Sequence, residues 1–371
     1  MGQGKGIREV AYIDCSGGGQ VVVEKNIAYV GSMASPDGTM IFDVGDPKNP
    51  RQISRLDMVA GAHSHKVRVA NGLMLVNREF VSPQLAPPDF KGGLGIFDVS
   101  DPRKPKRIIE WTTSGKGVHR FDFDGEFAYI SATEEGYVGH ILKILDLRNP
   151  ARPEEVSRWW IPGQWTAGGE QPTWNGANHR IHHPLRLGNR LYTSCWLAGL
   201  RILDIDDMAK PQLVSELDWS PPFASPTHTA LPIPFPVRGR RLMIVADEDT
   251  ARSDNEPPAF IWMVDITDER HPVPFGSFQV EAEDGSPRPP LTGCHQPCEK
   301  VTGTEIQVAW FAHGLRVVDF SNPHRPRESA WYLPTPAAGV PRVQSNDVTV
   351  DDRGLIYLID RVRGLHILER E

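Results

Sequence analysis

Histidine recurs at one position of a repeated strand hairpin in this chain. Counting eight residues back from the first apolar residue of the second strand reaches His65, His119 and His183. Two longer hairpins begin their first strands with His228 and His295. Only 13 of the 371 residues are histidine, so chance is a poor explanation for three matches at one register. Neutral imidazoles gathered from several strands suit iron, copper, zinc, nickel or manganese better than calcium or magnesium.

Two interpretations of these histidines remain open. In the first, the five imidazoles supply most of the ligands of a divalent transition metal. In the second, they form a structural ring that holds ordered water and satisfies backbone groups inside a channel. The flanking residues His63, His182 and Cys294 are second choices as ligands, because strand alternation should turn them toward neighbouring sheets.

Charged residues lie at the ends of the second strands, where each antiparallel hairpin returns to the face on which it began. Glu79, Glu134 and Asp247 are nearest to the strands, so their carboxylates could orient a metal ligand or act as a general base. Arg78 and Arg361 accompany them. Taken singly, each acid is also explained as a solvated loop charge. These five residues are the candidate catalytic groups.

Long insertions, including residues 83–92 and 162–179, fall in connections on the histidine-bearing face. Long structured loops on one face build a pocket or a lid. The candidate substrate-binding residues are four tryptophans that could line such a pocket and one acid at the histidine register of the last hairpin: Trp165, Trp174, Trp196, Trp310 and Asp347. An equal interpretation is that the tryptophans only anchor the loops.

The elements that position these side chains follow from a repeated phrase. GTMIFDVGDPKNP, GLGIFDVSDPRKP and GLRVVDFSNPHRP each indicate an alternating strand followed by a polar turn. The shared aspartates of six such phrases are spaced 48 to 61 residues apart, at Asp43, Asp98, Asp146, Asp204, Asp265 and Asp319. That spacing is the length of a propeller blade.

Two strand-like runs precede each phrase and one follows it, which gives four antiparallel strands per unit. The last unit stops after its third strand, and residues 6–15 form an unattached strand that could complete it. The sequence therefore predicts an all-β, seven-bladed β-propeller that is closed by its N-terminal strand, as a single domain over residues 1–371. The predicted blades cover approximately 17–60, 61–114, 115–162, 180–220, 225–282, 293–334, and 343–371 with 6–15.

The repeated phrases resemble the LVIVD-repeat proteins, a group of bacterial β-propellers, and more distantly the selenium-binding protein and methanethiol oxidase propellers. The likeness covers nearly the whole chain and implies the propeller fold. Methanethiol oxidase and the carotenoid cleavage oxygenases are propellers with histidine-rich metal sites on the axis. The resemblance therefore implies an oxidase-like or oxygenase-like reaction.

Composition restricts the partners and the chemistry. A formal net charge of −7 without a run of Lys or Arg predicts no nucleic-acid partner and no membrane partner. The first residues lack the features of a secretory signal and the four cysteines are too few for a disulfide scaffold, so we expect a cytoplasmic protein with reduced thiols. No dinucleotide fingerprint, phosphate loop or serine-nucleophile elbow occurs in a strand-to-helix context.

Three functions are compatible with these features. The leading one is a metal-dependent enzyme that acts on a small, partly aromatic or apolar molecule, with an oxidase-like or oxygenase-like reaction. The second is a metal-dependent hydrolase or lyase with Glu79 or Glu134 as base, or a metal-free acid–base lyase. The third is a non-catalytic binding or scaffold propeller. We expect a small-molecule substrate, and the sequence favours no particular oligomeric state.

Overall fold

A computed structural model describes residues 2–15, 17–33, 35–174, 179–220, 223, 225–250, 258–280 and 292–371. Within these ranges the regular structure is β-strand, apart from two short 3-10 helices at Pro83–Leu85 and Thr166–Gly168. No helix in the described part of the chain is long and apolar enough to cross a membrane.

Thirty strands occur in the described residues, numbered in chain order. The first fifteen are β1 Gln3–Lys5, β2 Ile7–Asp14, β3 Gly18–Glu24, β4 Ile27–Ser32, β5 Asp37–Asp43, β6 Arg51–Asp57, β7 Ala62–His63, β8 Val67–Ala70, β9 Leu73–Phe80, β10 Gly93–Asp98, β11 Lys106–Thr112, β12 Val118–Phe123, β13 Phe127–Thr133, β14 His140–Asp146 and β15 Glu154–Trp159. The others are β16 His179–Leu187, β17 Arg190–Trp196, β18 Leu200–Asp204, β19 Gln212–Leu217, β20 Thr227–Pro232, β21 Leu242–Asp247, β22 Ile261–Asp265, β23 Val273–Phe278, β24 Gln296–Pro297, β25 Glu305–Ala309, β26 Leu315–Asp319, β27 Arg327–Leu333, β28 Ser345–Val350, β29 Ile356–Asp360 and β30 Gly364–Arg370.

The strands form seven antiparallel blades, which confirms the predicted fold class. Blades 1, 3, 4 and 5 are β3–β6, β12–β15, β16–β19 and β20–β23. The innermost strand of blade 2 is split into β7 and β8, which both pair with β9, and β10 and β11 complete that blade. Blade 6 is β24–β27, and β1 adds a fifth, outer strand to it that the sequence did not predict.

Blade 7 contains β28, β29 and β30, and β2 from the start of the chain is its fourth strand. The pairing of β2 with β30 runs from Ile7 opposite Arg370 to Asp14 opposite Gly364. The predicted closure of the ring by the N-terminal strand is therefore confirmed.

The core lies between neighbouring blades, because each thin sheet buries its faces only against the next sheet. The cluster between blades 7 and 1 shows the arrangement. Val30 and Phe42 of blade 1 pack with Tyr357 and Ile367 of blade 7, and all four are almost fully buried. Radial stacking of the blades leaves their innermost strands to line a central channel.

The innermost strands are irregular near their first residues. Register shifts occur in five blades, between residues 18 and 21, 118 and 120, 179 and 183, 227 and 229, and 345 and 347. At a β-bulge two consecutive residues oppose one residue of the partner strand, so the strict alternation of side chains is lost. Consecutive residues of one strand can therefore both reach the channel.

Glu9 ties the closing strand to two blades. Its carboxylate accepts hydrogen bonds from His366 Nδ1 (2.7 Å) in blade 7 and from the Tyr332 hydroxyl in blade 6. Burial raises the pKa of Glu9, but the hydrogen bonds from His366 and Tyr332 outweigh it and hold that pKa below its usual value. The ionised form of Glu9 thus stabilises the closed ring.

We expect Glu9→Gln to lower the free energy of unfolding by about 1–3 kcal/mol at pH 7, because a charged acceptor for two donors is lost. The folded-state pKa is below the unfolded one, so this stabilisation is present above about pH 4.3 and disappears as the pH falls further. Urea denaturation at several pH values measures the difference. Glu369→Gln, which removes a partly exposed ion pair with Arg8 on the same two strands, is the control. Equal effects of the two substitutions would contradict the prediction.

Candidate functional site

A cavity of about 320 Å³ lies inside the ring, where the innermost strands of the blades meet. We call it the histidine cavity. Its imidazoles are those of His63, His65, His119, His182, His228 and His295. Its charged residues are Lys66, Arg120, Arg180, Arg361 and Glu248. The sequence-based expectation that histidines from several blades converge is therefore met, with changes in which histidines take part.

The imidazoles form a continuous arc across five consecutive blades. The ring centroids are 4.0 Å apart between His63 and His65, and 5.1 Å apart between His65 and His119. From His119 the arc continues to His182 at 5.1 Å, then to His228 at 4.5 Å and to His295 at 4.3 Å. Within the arc, His63, His65 and His119 have ligand atoms within 4.8 Å of one another, as do His182 and His228 with Glu248.

Blade 1 contributes no imidazole to this arc, and Gly19 stands at the equivalent register. A Cβ atom at Gly19 would lie 2.5 Å from the backbone oxygen of His65. Only glycine therefore allows the first strand of blade 1 to approach His65 this closely.

In blade 4 the cavity is lined by His182, whereas the sequence predicted His183. Strand β17 begins at Arg190, directly after a two-residue turn. The prediction counted eight residues back from Leu191, the first apolar residue of this strand, and therefore reached a position one residue too late. His183 is fully buried on the far side of the cavity wall, with Nε2 3.4 Å from a guanidinium nitrogen of Arg68.

The same displacement by one residue occurs at two acids. In blade 7 Asn346 lines the cavity instead of Asp347, because Val350 pairs with Ile356 across a longer, five-residue turn.

In blade 5 the carboxylate that reaches the cavity is Glu248, not Asp247. Asp247 is the last residue of β21 and accepts a hydrogen bond from Trp262 Nε1 at 2.8 Å. Burial raises the pKa of Asp247 to about 7.

Glu79 lies behind the arc and connects three imidazoles. Its carboxylate accepts hydrogen bonds from His63 Nε2 (2.8 Å), His119 Nδ1 (2.8 Å) and His140 Nε2 (3.0 Å). Burial alone would raise the pKa of Glu79, but these three imidazoles hold it well below the usual range. Glu79 therefore orients His119 in the way that a carboxylate supports a metal-ligating histidine. His140 was not predicted, since it opens a third strand.

The other predicted site residues divide into two groups. Trp196 and Arg361 line the cavity. The charged residues Arg78 and Glu134 lie elsewhere: Arg78 pairs with Glu110, and Glu134 pairs with Lys143. Three tryptophans also lie elsewhere. Trp165 is 39% exposed, Trp174 stacks on His179, and Trp310 is buried in the core of blades 5 and 6. Of the four tryptophans, one therefore reaches the site, and the others pack loops and blades.

Hydrogen bonds identify which imidazole nitrogens are free. His182 Nδ1 donates to the backbone oxygen of His228 (2.8 Å), and His295 Nδ1 donates to the backbone oxygen of Asn346. His119 Nδ1 donates to Glu79. A neutral imidazole that donates from Nδ1 carries its lone pair on Nε2. The Nε2 atoms of His119, His182 and His295 are therefore unprotonated.

His228 and His65 are held differently. His228 Nδ1 donates to Thr229 Oγ1 at 2.9 Å, and its Nε2 accepts from Arg120 at 2.8 Å, so both nitrogens are occupied. His65 Nδ1 accepts from the side-chain amide of Asn77 at 3.1 Å, which leaves the proton on Nε2. These two imidazoles contribute to the wall of the cavity but offer no free Nε2 lone pair.

Three groups of His and Glu residues in the described part of the chain could hold a metal ion. They are His63, His65 and His119; Glu79, His119 and His140; and His182, His228 and Glu248, and within each group the ligand atoms lie within 4.8 Å of one another. In the second group, His119 and His140 already donate hydrogen bonds to Glu79. Glu248 also lies 3.7 Å from His295 Nε2, which adds a free nitrogen to the third group.

A second cavity of about 280 Å³ opens further along the innermost strands, and we call it the acidic cavity. Asp122, Glu299 and Asp347 line it together with Arg68 and Lys300. In blade 7 the bulged strand thus sends Asn346 to the histidine cavity and Asp347 to the acidic cavity.

Comparison with known proteins supports the fold. Residues 301–333 match the LVIVD repeat. No curated protein matches the sequence. Raptor from Chaetomium thermophilum is similar with a TM-score of 0.62 and 14% identity, over 98% of this chain and 29% of that chain, so this chain spans less than a third of Raptor. Sqt1 from Saccharomyces cerevisiae is similar with a TM-score of 0.55 and 8% identity, over 96% of this chain and 86% of that chain.

A computationally designed protein, Ika8, is similar with a TM-score of 0.53 and 11% identity, over 97% of this chain and 98% of that chain. Such low identities show the fold alone. The predicted resemblance to LVIVD-repeat propellers is confirmed at the level of repeat and fold.

We expect the metal-free protein to lose stability as the pH falls through about 6.5. Burial lowers the pKa of seven imidazoles: His65, His119, His140, His182, His183, His228 and His295. Below the ordinary pKa of histidine, the unfolded chain binds more protons than the folded one. The free energy of unfolding therefore falls by about 1.4 kcal/mol per pH unit for each histidine. Burial raises the pKa of Asp247 and Asp347 to about 7, so these two acids stabilise the folded protein as the pH falls. The histidines outnumber them, and the net effect is a loss of stability.

Urea denaturation between pH 8 and pH 5 measures this slope. His182→Gln should reduce it, because one neutral imidazole is removed. A stability that does not change over this range would contradict the prediction.

Proposed function

We propose that this chain, an LVIVD-repeat β-propeller, binds a divalent transition metal in the histidine cavity and is an enzyme that acts there on a small organic molecule. One observation carries the proposal. The Nδ1 atoms of His119, His182 and His295 donate to fixed acceptors, so three unprotonated Nε2 atoms belong to one cavity that also contains Glu248.

The donor set fits a transition metal. Imidazole nitrogens with one carboxylate oxygen suit iron, copper, zinc or manganese, whereas calcium and magnesium prefer sites made only of oxygen. A hydrogen bond donated by the second nitrogen of the imidazole, such as the one from His119 Nδ1 to Glu79, is typical of metal-ligating histidines. We therefore expect the ligands to come from His119, His182, His295 and Glu248. A metal bound there supplies Lewis acidity or electron transfer.

The chain itself supplies groups for proton transfer. Burial lowers the pKa of Lys66 well below its usual range, with a further contribution from Arg120. Burial raises the pKa of Glu248. Both changes move a titratable group toward physiological pH, where it can accept and release a proton. Both residues line the cavity, and Lys66, which is not among the expected metal ligands, is placed to serve the substrate while the metal is bound.

The ligand types favour an oxidoreductase. Two imidazoles and one carboxylate are the ligand set of many non-haem iron oxygenases, and the cavity contains His182, His295 and Glu248, with Glu248 3.7 Å from His295 Nε2. Oxygen consumption by the iron-loaded protein, measured against a panel of small molecules, tests this assignment. Turnover that proceeds equally without dioxygen would favour hydrolysis or elimination instead.

We expect His182→Gln to lose most of the bound metal and His183→Gln to retain it. The two histidines are neighbours on one buried strand, so they form a matched pair in which only His182 lines the cavity. Elemental analysis of protein purified without an affinity tag measures the metal-to-protein ratio, and circular dichroism checks the fold. Equal metal content in both variants, or no metal in the wild type after anaerobic incubation with iron, copper, zinc and manganese, would contradict the proposal.

Glu79→Gln should weaken metal affinity by about 10- to 100-fold, because His119 loses its carboxylate partner. The substitution keeps the volume of the side chain. Competition with a chelator of known affinity measures the change. Glu134→Gln is the control, since Glu134 pairs with Lys143 outside the cavity. An unchanged affinity in Glu79→Gln would remove Glu79 from the site.

A further inference from the structure

We infer that Arg180 binds an oxyanion group, so the small molecule that enters the histidine cavity is an anion. The inference rests on the proposed function, because it names the substrate class of the same cavity. Carboxylate and phosphate groups share the required chemistry, which is a set of negatively charged oxygens that accept hydrogen bonds in one plane.

The charge of the cavity is unbalanced. Among the described residues that line it, Lys66, Arg120, Arg180 and Arg361 have basic side chains, and Glu248 supplies one carboxylate. Two of the guanidinium groups already have partners. Arg120 donates to His228 Nε2 and to Gln296 Oε1, both at 2.8 Å.

Arg361 donates from Nε to the side-chain oxygen of Asn346 at 2.6 Å, and its NH2 lies 3.8 Å from Glu248. Arg361 therefore faces the one acid among the described residues of the cavity. The cationic side chains that remain are Arg180, which is always charged, and Lys66, whose protonation a bound anion would favour.

Arg180 has no polar partner among the described residues. Its guanidinium lies over the ring of Trp196 at 4.3 Å, and its buried Nε makes no hydrogen bond. In the described part of the chain no carboxylate is within ion-pair distance of this side chain. An arginine remains charged at any physiological pH, so the buried Nε donor of Arg180 is left without compensation.

Trp196 is itself unusual, with φ at 58°. Bulky residues rarely adopt this left-handed conformation, and such strain is concentrated at functional sites. The strained backbone places the indole ring under Arg180. The stacking fixes the plane of the guanidinium while its edge stays available to a ligand.

Lys66 adds a second hydrogen-bond donor to the same cavity, and a bound anion would favour its protonated form. It is only 4% exposed, and no carboxylate of the described residues lies within ion-pair distance of its ammonium group. A planar fork and a point charge in one enclosed space are the elements with which proteins bind carboxylates and phosphates. The volume of about 320 Å³ suits a small molecule.

Calorimetric titration with benzoate and with inorganic phosphate tests the inference. Wild type, Arg180→Gln and Arg316→Gln are compared, each as metal-loaded and as chelator-treated protein. Arg316 is the matched control, because it also lies over an indole ring, Trp331, but pairs with Glu328 away from the cavity. Metal content is measured on the same samples, so that a protein without metal can be distinguished from a protein that does not bind the anion.

We expect Arg180→Gln to raise the dissociation constant of the bound probe at least about tenfold, and Arg316→Gln to leave it unchanged. Preference for benzoate or for phosphate then identifies the anionic group. Binding by chelator-treated wild type that is lost in Arg180→Gln supports the inference even where no metal is found.

Three results would overturn the inference: neither probe binds the wild type, Arg180→Gln binds as tightly as the wild type, or binding disappears on metal removal without depending on Arg180. Where Arg180→Gln does not fold, Arg180→Lys replaces it. That variant keeps the charge but lacks the planar fork, and it should weaken binding by at least about threefold.

Discussion

A set of hydrogen bonds from one blade to the next determines both the ring and the site. His182 donates to the backbone oxygen of His228, His295 donates to that of Asn346, and Asn346 donates to that of Gly19. Each bond joins equivalent positions of neighbouring innermost strands. The same bonds that fix the spacing of the blades also fix the tautomer of two imidazoles, so the chemistry of the cavity depends on the closure of the ring.

The bulges of the innermost strands explain how one channel contains two chambers. In the consecutive pair Asn346 and Asp347, the first residue lines the histidine cavity and the second lines the acidic cavity. Arg120, which lines the histidine cavity, donates to Gln296 at 2.8 Å, and Glu299, which lines the acidic cavity, pairs with Arg68. A regular strand would turn every second residue away from the channel and could not supply both chambers.

The sequence was sufficient for the fold, because the repeat spacing and the unpaired strand at residues 6–15 are properties of the chain itself. For the site it was only partly sufficient: three predictions were wrong by one residue, and Arg78, Glu134, Trp165, Trp174 and Trp310 lie outside the cavity. His183, Asp347 and Asp247 were each predicted where a neighbour lines the cavity. Hydrophobic alternation does not encode turn length or bulges, and both shift the register. Arg180 gave no signal, because its lack of a partner is a property of the folded cavity.

The pairing of Ile7 with Arg370 also has a consequence for biosynthesis. On the ribosome, which adds about 5–20 residues per second, β2 is made roughly 350 residues before its partner β30. For tens of seconds β2 and the open blades present unpaired edges that could join other chains. Shielding of β2 during synthesis would therefore limit aggregation, and stalled or truncated products are expected to be prone to it.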